Sequence, residues 1–133
     1  MSIKSQERNM RRIADLLDKE LSYNEENKSE FLNKSRTFLR NLGKDLGLSD
    51  MKVSIIQGGI AVSGDCTLIG VWGNTGIYIC ISKFLFGDAI LYREARHTKD
   101  YAYGTNRYIR QQDLRDLSYQ QLLSILLALE SEN

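Results

Sequence analysis

The hydrophobic periodicity of the chain changes once, at Met51, and that change dictates the architecture. Upstream, apolar residues recur every three or four positions. Downstream they come in short runs rich in Val, Ile, Tyr and Trp. The runs "MKVSIIQ", "GIAVS", "CTLIGVW", "IYICISKF" and "AILYREAR" are separated by "GG", "SGD", "GNTG" and "FGD". Gly, Asn and Asp suit the backbone of tight turns, so residues 51–96 are predicted to form a four- to five-stranded antiparallel meander. "GNTG" is the clearest hairpin, with Trp72 expected opposite Ile77. That register sets Ile69 against Cys80 and Cys66 against Lys83, which keeps the two thiols from pairing across the strands. Ile77, Ile79 and Ile81 share one face of their strand and make it the core face, while Tyr78, Cys80 and Ser82 share the other.

Before Met51, Met10, Ile13, Leu17 and Leu21 predict a helix over residues 5–21. A second helix is predicted over residues 25–46. Asn24 is its N-cap, and Glu25 and Glu26 lie at the positive end of its dipole. Phe31, Leu32, Phe38, Leu39, Leu42 and Leu46 form its apolar stripe, and Gly47-Leu48 reads as a glycine C-cap. The short "SYN" connection makes the two helices an antiparallel hairpin over residues 1–48. After the sheet, residues 97–117 read as a loop. "LSYQQL" then carries a capping box, with Ser118 at N-cap and Gln121 at N3. The helix over residues 118–131 is apolar around most of its circumference. It is expected to lie across the sheet, partly under the N-terminal helices, or to leave one face for a second copy in a homodimer. The expected fold is α+β: an N-terminal antiparallel helix pair, a meander and a C-terminal helix, in one domain spanning residues 1–133.

The chain has 18 Lys/Arg against 17 Asp/Glu and one histidine, so no global field points to nucleic acid or membrane. The single histidine, His97, cannot build a multi-histidine metal site. Cys66 and Cys80 fall in apolar strands, where cysteine behaves as a small hydrophobe. "GGIAVSGD" lacks the lysine and the following helix of a phosphate loop. Asp65 and Asp88 fall in expected turns, and Asp113 and Asp116 beside the last helix, as local caps would. A non-enzymatic protein without metal or cofactor is expected. The leading "MSIKSQERNMRR" has no apolar signal core, and the longest uncharged run, Cys66 to Ser82, is broken by "GNTG". No membrane segment is expected, and two cysteines without metal spacing suit reduced thiols in the cytoplasm.

One segment stands out: "REARHTKDYAYGTNRYIR", residues 93–110. It holds five basic against two acidic groups, with three tyrosines and His97. Such a segment can be a polar loop, a protein interface rich in Tyr and Arg, or a strip that takes phosphates and stacks bases. The reading adopted is a protein-binding surface of Arg93, Arg96, Lys99, Tyr101, Tyr103, Arg107 and Tyr108. Nucleic acid bound by the same segment is the alternative. Arg8, Arg11 and Arg12 form a smaller basic group, diluted by Glu7, Asp15 and Asp18. The run "VWGNTGIYICISK", then "LYREARHTKDYAYGTNRYI", then "LSYQQLLSILLALE", resembles small accessory domains of phage and conjugative-element proteins. The resemblance carries no functional residue. It implies a context in which small proteins bind and block or redirect a host protein, as antagonists of bacterial immunity such as anti-CRISPR proteins do.

Overall fold

The computed structural model describes residues 2–85, 87–101 and 103–132. Phe86 of the expected "FGD" turn and Ala102 of the "DYAYG" run lie outside them. In chain order the elements are α1 (Ile3–Leu17), α2 (Glu25–Asp45), β1 (Asp50–Ile56), β2 (Asp65–Trp72), β3 (Thr75–Leu85) and β4 (Asp88–Ala95). They are followed by β5 (Arg107–Arg110), α3 (Asp113–Asp116) and α4 (Tyr119–Glu132). The strands pair antiparallel in the order β1-β2-β3-β4-β5, so the fold is the expected α+β meander with helices at both ends.

Two of the expected strand assignments change. "GIAVS" is not a strand. Residues 57–64 form a loop whose backbone is satisfied by the helix layer: Lys28 Nζ donates to the Gly59 carbonyl at 3.0 Å, and Tyr23 N–H to that of Ile60 at 2.7 Å. The fifth strand comes instead from residues 97–117, expected to be a loop throughout. Those residues contain both β5 and the one-turn α3. In β5 only Ile109 is buried, so four residues carry no readable apolar alternation.

The hairpin is also tighter than expected. Trp72 pairs with Thr75, not Ile77, leaving a two-residue loop of Gly73 and Asn74. Gly73 takes φ +79°, and a left-handed residue in a two-residue loop matches the twist of the flanking strands. The register moves by two, setting Cys66 against Ile81 and Cys80 against Thr67. An even shift preserves faces, so the thiols still lie on opposite sides of the sheet and both are free.

The helix ends follow local chemistry. Asn24 Oδ1 accepts from Asn27 N–H at 3.0 Å, starting α2 where expected. At its other end Gly47 N–H donates to Lys44 O, and Leu48 N–H to Gly43 O, the paired bonds of a Schellman motif. Ser118 and Gln121 exchange both bonds of the capping box at 2.9 and 3.1 Å. Helix α1 stops at Leu17, short of Leu21, because Asp18 and Lys19 turn back onto Asp15 and Leu16.

All helices pack on one face of the sheet. Cys66, Leu68, Ile77, Ile79, Ile81, Ile90, Tyr92 and Ile109 meet Met10, Ile13, Phe31, Phe38, Leu122 and Leu126 in one buried cluster. Tyr119 anchors it, buried edge-on against Phe38, with its hydroxyl donating to Asp45 at 2.6 Å. Polar ties join the first helix to the last two. Glu7 accepts the Tyr119 N–H at 2.8 Å, a helix cap supplied across the fold. Arg11 donates to the carbonyls of Leu114 and Leu117 at 2.8 and 2.7 Å. On α4, Ile125 and Leu127 remain exposed on opposite flanks of the buried Leu122, Leu126 and Leu129.

Two substitutions test this packing. A Cβ on Gly76 would stand 2.4 Å from the Gly70 carbonyl and 3.1 Å from that of Ala95, both backbone. Gly76→Ala is therefore expected to lower stability by about 3 kcal/mol, the upper range for overpacking. Ser118→Ala, which removes only the α4 cap, is expected to cost about 1 kcal/mol. Urea denaturation midpoints of the two variants measure the difference.

Candidate functional site

Strand alternation gives the sheet a second face. Thr67, Ile69, Tyr78, Cys80, Leu91, Arg93 and Tyr108 have the parity opposite to the core isoleucines, and none belongs to the helix-packed cluster. In the register Tyr78 lies between Ile69 and Arg93, and Tyr108 pairs with Leu91. This face is the setting of the candidate site.

Arg93 is its hub. Its guanidinium lies over the Tyr78 ring, 4.4 Å from the centroid, a cation–π contact. Nη1 donates to Asn106 Oδ1 at 2.8 Å, and Nη2 donates to the Tyr101 carbonyl. These bonds fold the long β4–β5 connection back toward the sheet. Tyr101 then meets Tyr78 edge-on, with ring centroids 6.0 Å apart. A second stack repeats the device: Arg96 lies 4.4 Å from the centroid of Tyr103 and bonds Asp100 at 2.9 Å. The Asp100 carboxylate also accepts the Arg96 N–H, so this buried acid organises the start of the loop. Tyr101, Tyr103 and Tyr108 still show 47%, 40% and 49% of their surface to solvent.

The structure brings Arg93, Arg96, Tyr101, Tyr103 and Tyr108 of the predicted set onto or beside this face. It does not bring Arg107, which pairs in register with Tyr92, has the parity of the core face, and bonds Glu94 at 3.3 Å. Lys99 sits in the exposed turn after β4, where its backbone N–H donates to His97 Nδ1. Three of the five cations of residues 93–110 are paired with carboxylates in space. Arg96 pairs with Asp100, Arg107 with Glu94, and Arg110 with Asp113 from beyond the segment.

Tyr78 and Asn106, which hold the hub in place, were not among the predicted residues. Sequence alternation places Tyr78 only on a strand face, and nothing local in sequence links it to Arg93. A separate exposed apolar group was also missed. Tyr23, 73% exposed at φ +59°, bonds the 57–64 loop that presents Ile60 and Val62.

Burial raises the thiol of Cys80 to about 11 and the phenol of Tyr78 to about 12. On the core side, burial raises the Cys66 thiol to about 12. A thiol held protonated is a poor nucleophile. Among the described residues, no three or more His, Cys, Asp and Glu side chains gather as a metal site. No helix there is long and apolar enough to cross a membrane. No protein family, curated protein or solved structure matches the chain.

These raised values set the alkaline behaviour. In the unfolded chain the thiols ionise near 9.0 and the phenol near 10.0, while the folded state keeps them neutral. The unfolded state therefore loses protons first, and stability present below pH 9 declines as pH rises toward 12. Cys80→Ala is expected to flatten part of that decline between pH 9 and 11, read as urea midpoints against pH. Both thiols are expected to resist a thiol reagent at pH 8 until the protein unfolds.

Proposed function

We propose that the chain is a non-enzymatic protein-binding module that docks through the tyrosine–arginine surface on the side of its sheet opposite the helices. The observation carrying this reading is the pair of stacks, Arg93 on Tyr78 and Arg96 on Tyr103, beside rings that stay exposed. Stacked guanidinium groups and hydrogen bonds hold the loop before any partner arrives, so docking costs little side-chain entropy. Large amphipathic rings on a pre-ordered surface are the residues that dominate protein interfaces.

Nucleic acid on this same segment is less favoured, because most of its cations already face a carboxylate. Phosphate binding depends on unneutralised cations and the counterions they displace. The resemblance to phage and mobile-element accessory domains extends the proposal to an inhibitor that blocks or redirects a bacterial host protein, within the cytoplasm.

The test is capture of partners from bacterial lysate by wild type, Tyr101→Ala/Tyr103→Ala and Tyr23→Ala/Ile60→Ala. Wild type and the Tyr23 variant are expected to recover the same protein. The Tyr101/Tyr103 variant is expected to lose it, with affinity reduced at least about thirtyfold, the effect of one hot-spot residue. Equal recovery by all three, or loss confined to the Tyr23 variant, would overturn the assignment.

A further inference from the structure

The helix layer carries a second charged surface, remote in sequence from the tyrosines. Lys4, Arg8 and Arg12 recur every fourth residue along α1, and Arg36, Arg40 and Lys44 do so along α2, on a different flank from Lys34 and Thr37. Such spacing aligns each set in a stripe on its helix. Between the helices runs an open groove lined by Ser5, Arg8, Asn9, Arg12, Lys34 and Thr37. Lys4, Arg8, Lys34, Arg40 and Lys44 are exposed.

Several of the acids that dilute these cations in sequence make contacts elsewhere in the fold. Glu7 caps α4, and Asp45 accepts the Tyr119 hydroxyl. Asp15 and Asp18 bond Arg115, Asp18 at 2.5 Å. Glu30 clamps Arg12 of the groove with two bonds of 2.6 Å. Arg8 donates to the neutral Ser5 hydroxyl at 3.1 Å. The groove lining itself carries Arg8, Arg12 and Lys34, with Glu30 bound to Arg12.

We propose that this face binds the phosphate backbone of duplex nucleic acid. Cations flanked by hydroxyl and amide groups are the donors that phosphate oxygens take. The groove has no aromatic lining on which a single-stranded base would stack. It also lacks the exposed apolar stripe that seats an amphipathic helix in a lipid surface, because the stripes of α1 and α2 are buried in the core. The surface is independent of the tyrosine face, so one chain can hold a duplex on its helices and a protein on its sheet.

Fluorescence anisotropy with a labelled DNA duplex and an RNA duplex of the same sequence, across a salt series, tests this. Wild type is expected to bind at least one duplex at low salt and to release it steeply as salt rises. Arg8→Glu/Lys34→Glu is expected to weaken binding at least tenfold and to reduce the log–log salt slope by about 2, at roughly 0.9 per lost phosphate contact. Arg8→Gln/Lys34→Gln repeats the test should charge reversal unfold the protein. Tyr101→Ala/Tyr103→Ala is expected to bind as wild type. The proposal is overturned if wild type binds neither duplex, if it binds only phosphatidylserine vesicles, or if the tyrosine variant loses binding while the groove variants keep it.

Discussion

The strict alternation of β3 is the constraint on which the rest of this structure depends. Ile77, Ile79 and Ile81 enter the helix-packed core completely, which commits Tyr78 and Cys80 to the opposite surface. A slip by one residue would exchange the two sets and leave three isoleucines in water. The tight turn at Gly73 and Asn74 protects against that slip on one side, and pairing with β4 on the other. The core and the tyrosine surface are therefore two outcomes of a single register.

Charge behaves differently from apolar patterning here, because it is redistributed by the fold. Read along the chain, residues 93–110 are the basic region and the first helix is a balanced mixture. In three dimensions Glu94, Asp100 and Asp113 pair with Arg107, Arg96 and Arg110 of the segment. Glu7, Asp15, Asp18, Glu30 and Asp45 turn toward Tyr119, Arg115 and Arg12. What residues 93–110 retain is a display of rings, backed by guanidinium groups that serve as supports.

Elements whose cause is local were legible in the sequence. Asn24, Gly47 and the Ser118–Gln121 pair each satisfy backbone groups within a few residues, and each sits where composition places it. The amphipathic stripes and the core face of β3 were equally readable, since burial follows periodicity. Features with distant causes were not. "GIAVS" has strand composition, but its backbone finds partners in Lys28 and Tyr23 instead of a neighbouring strand. Strand β5 is too short to show alternation and exists because β4 offers it an edge. The hub at Arg93 was named, whereas Tyr78, fifteen residues upstream, joins it only through the β3–β4 register.

The meander has a consequence for the order in which a nascent chain can acquire this fold. Each strand pairs with its predecessor, so the sheet can zip up from β1 onward as residues leave the ribosome. The helix side cannot be sealed in the same progressive way. Glu7 and Arg11 wait for partners more than a hundred residues downstream, and the core remains open until Leu122, Leu126 and Leu129 arrive. Throughout synthesis the leading helices thus expose an oily flank, which a chaperone would shield until the last rod locks into place.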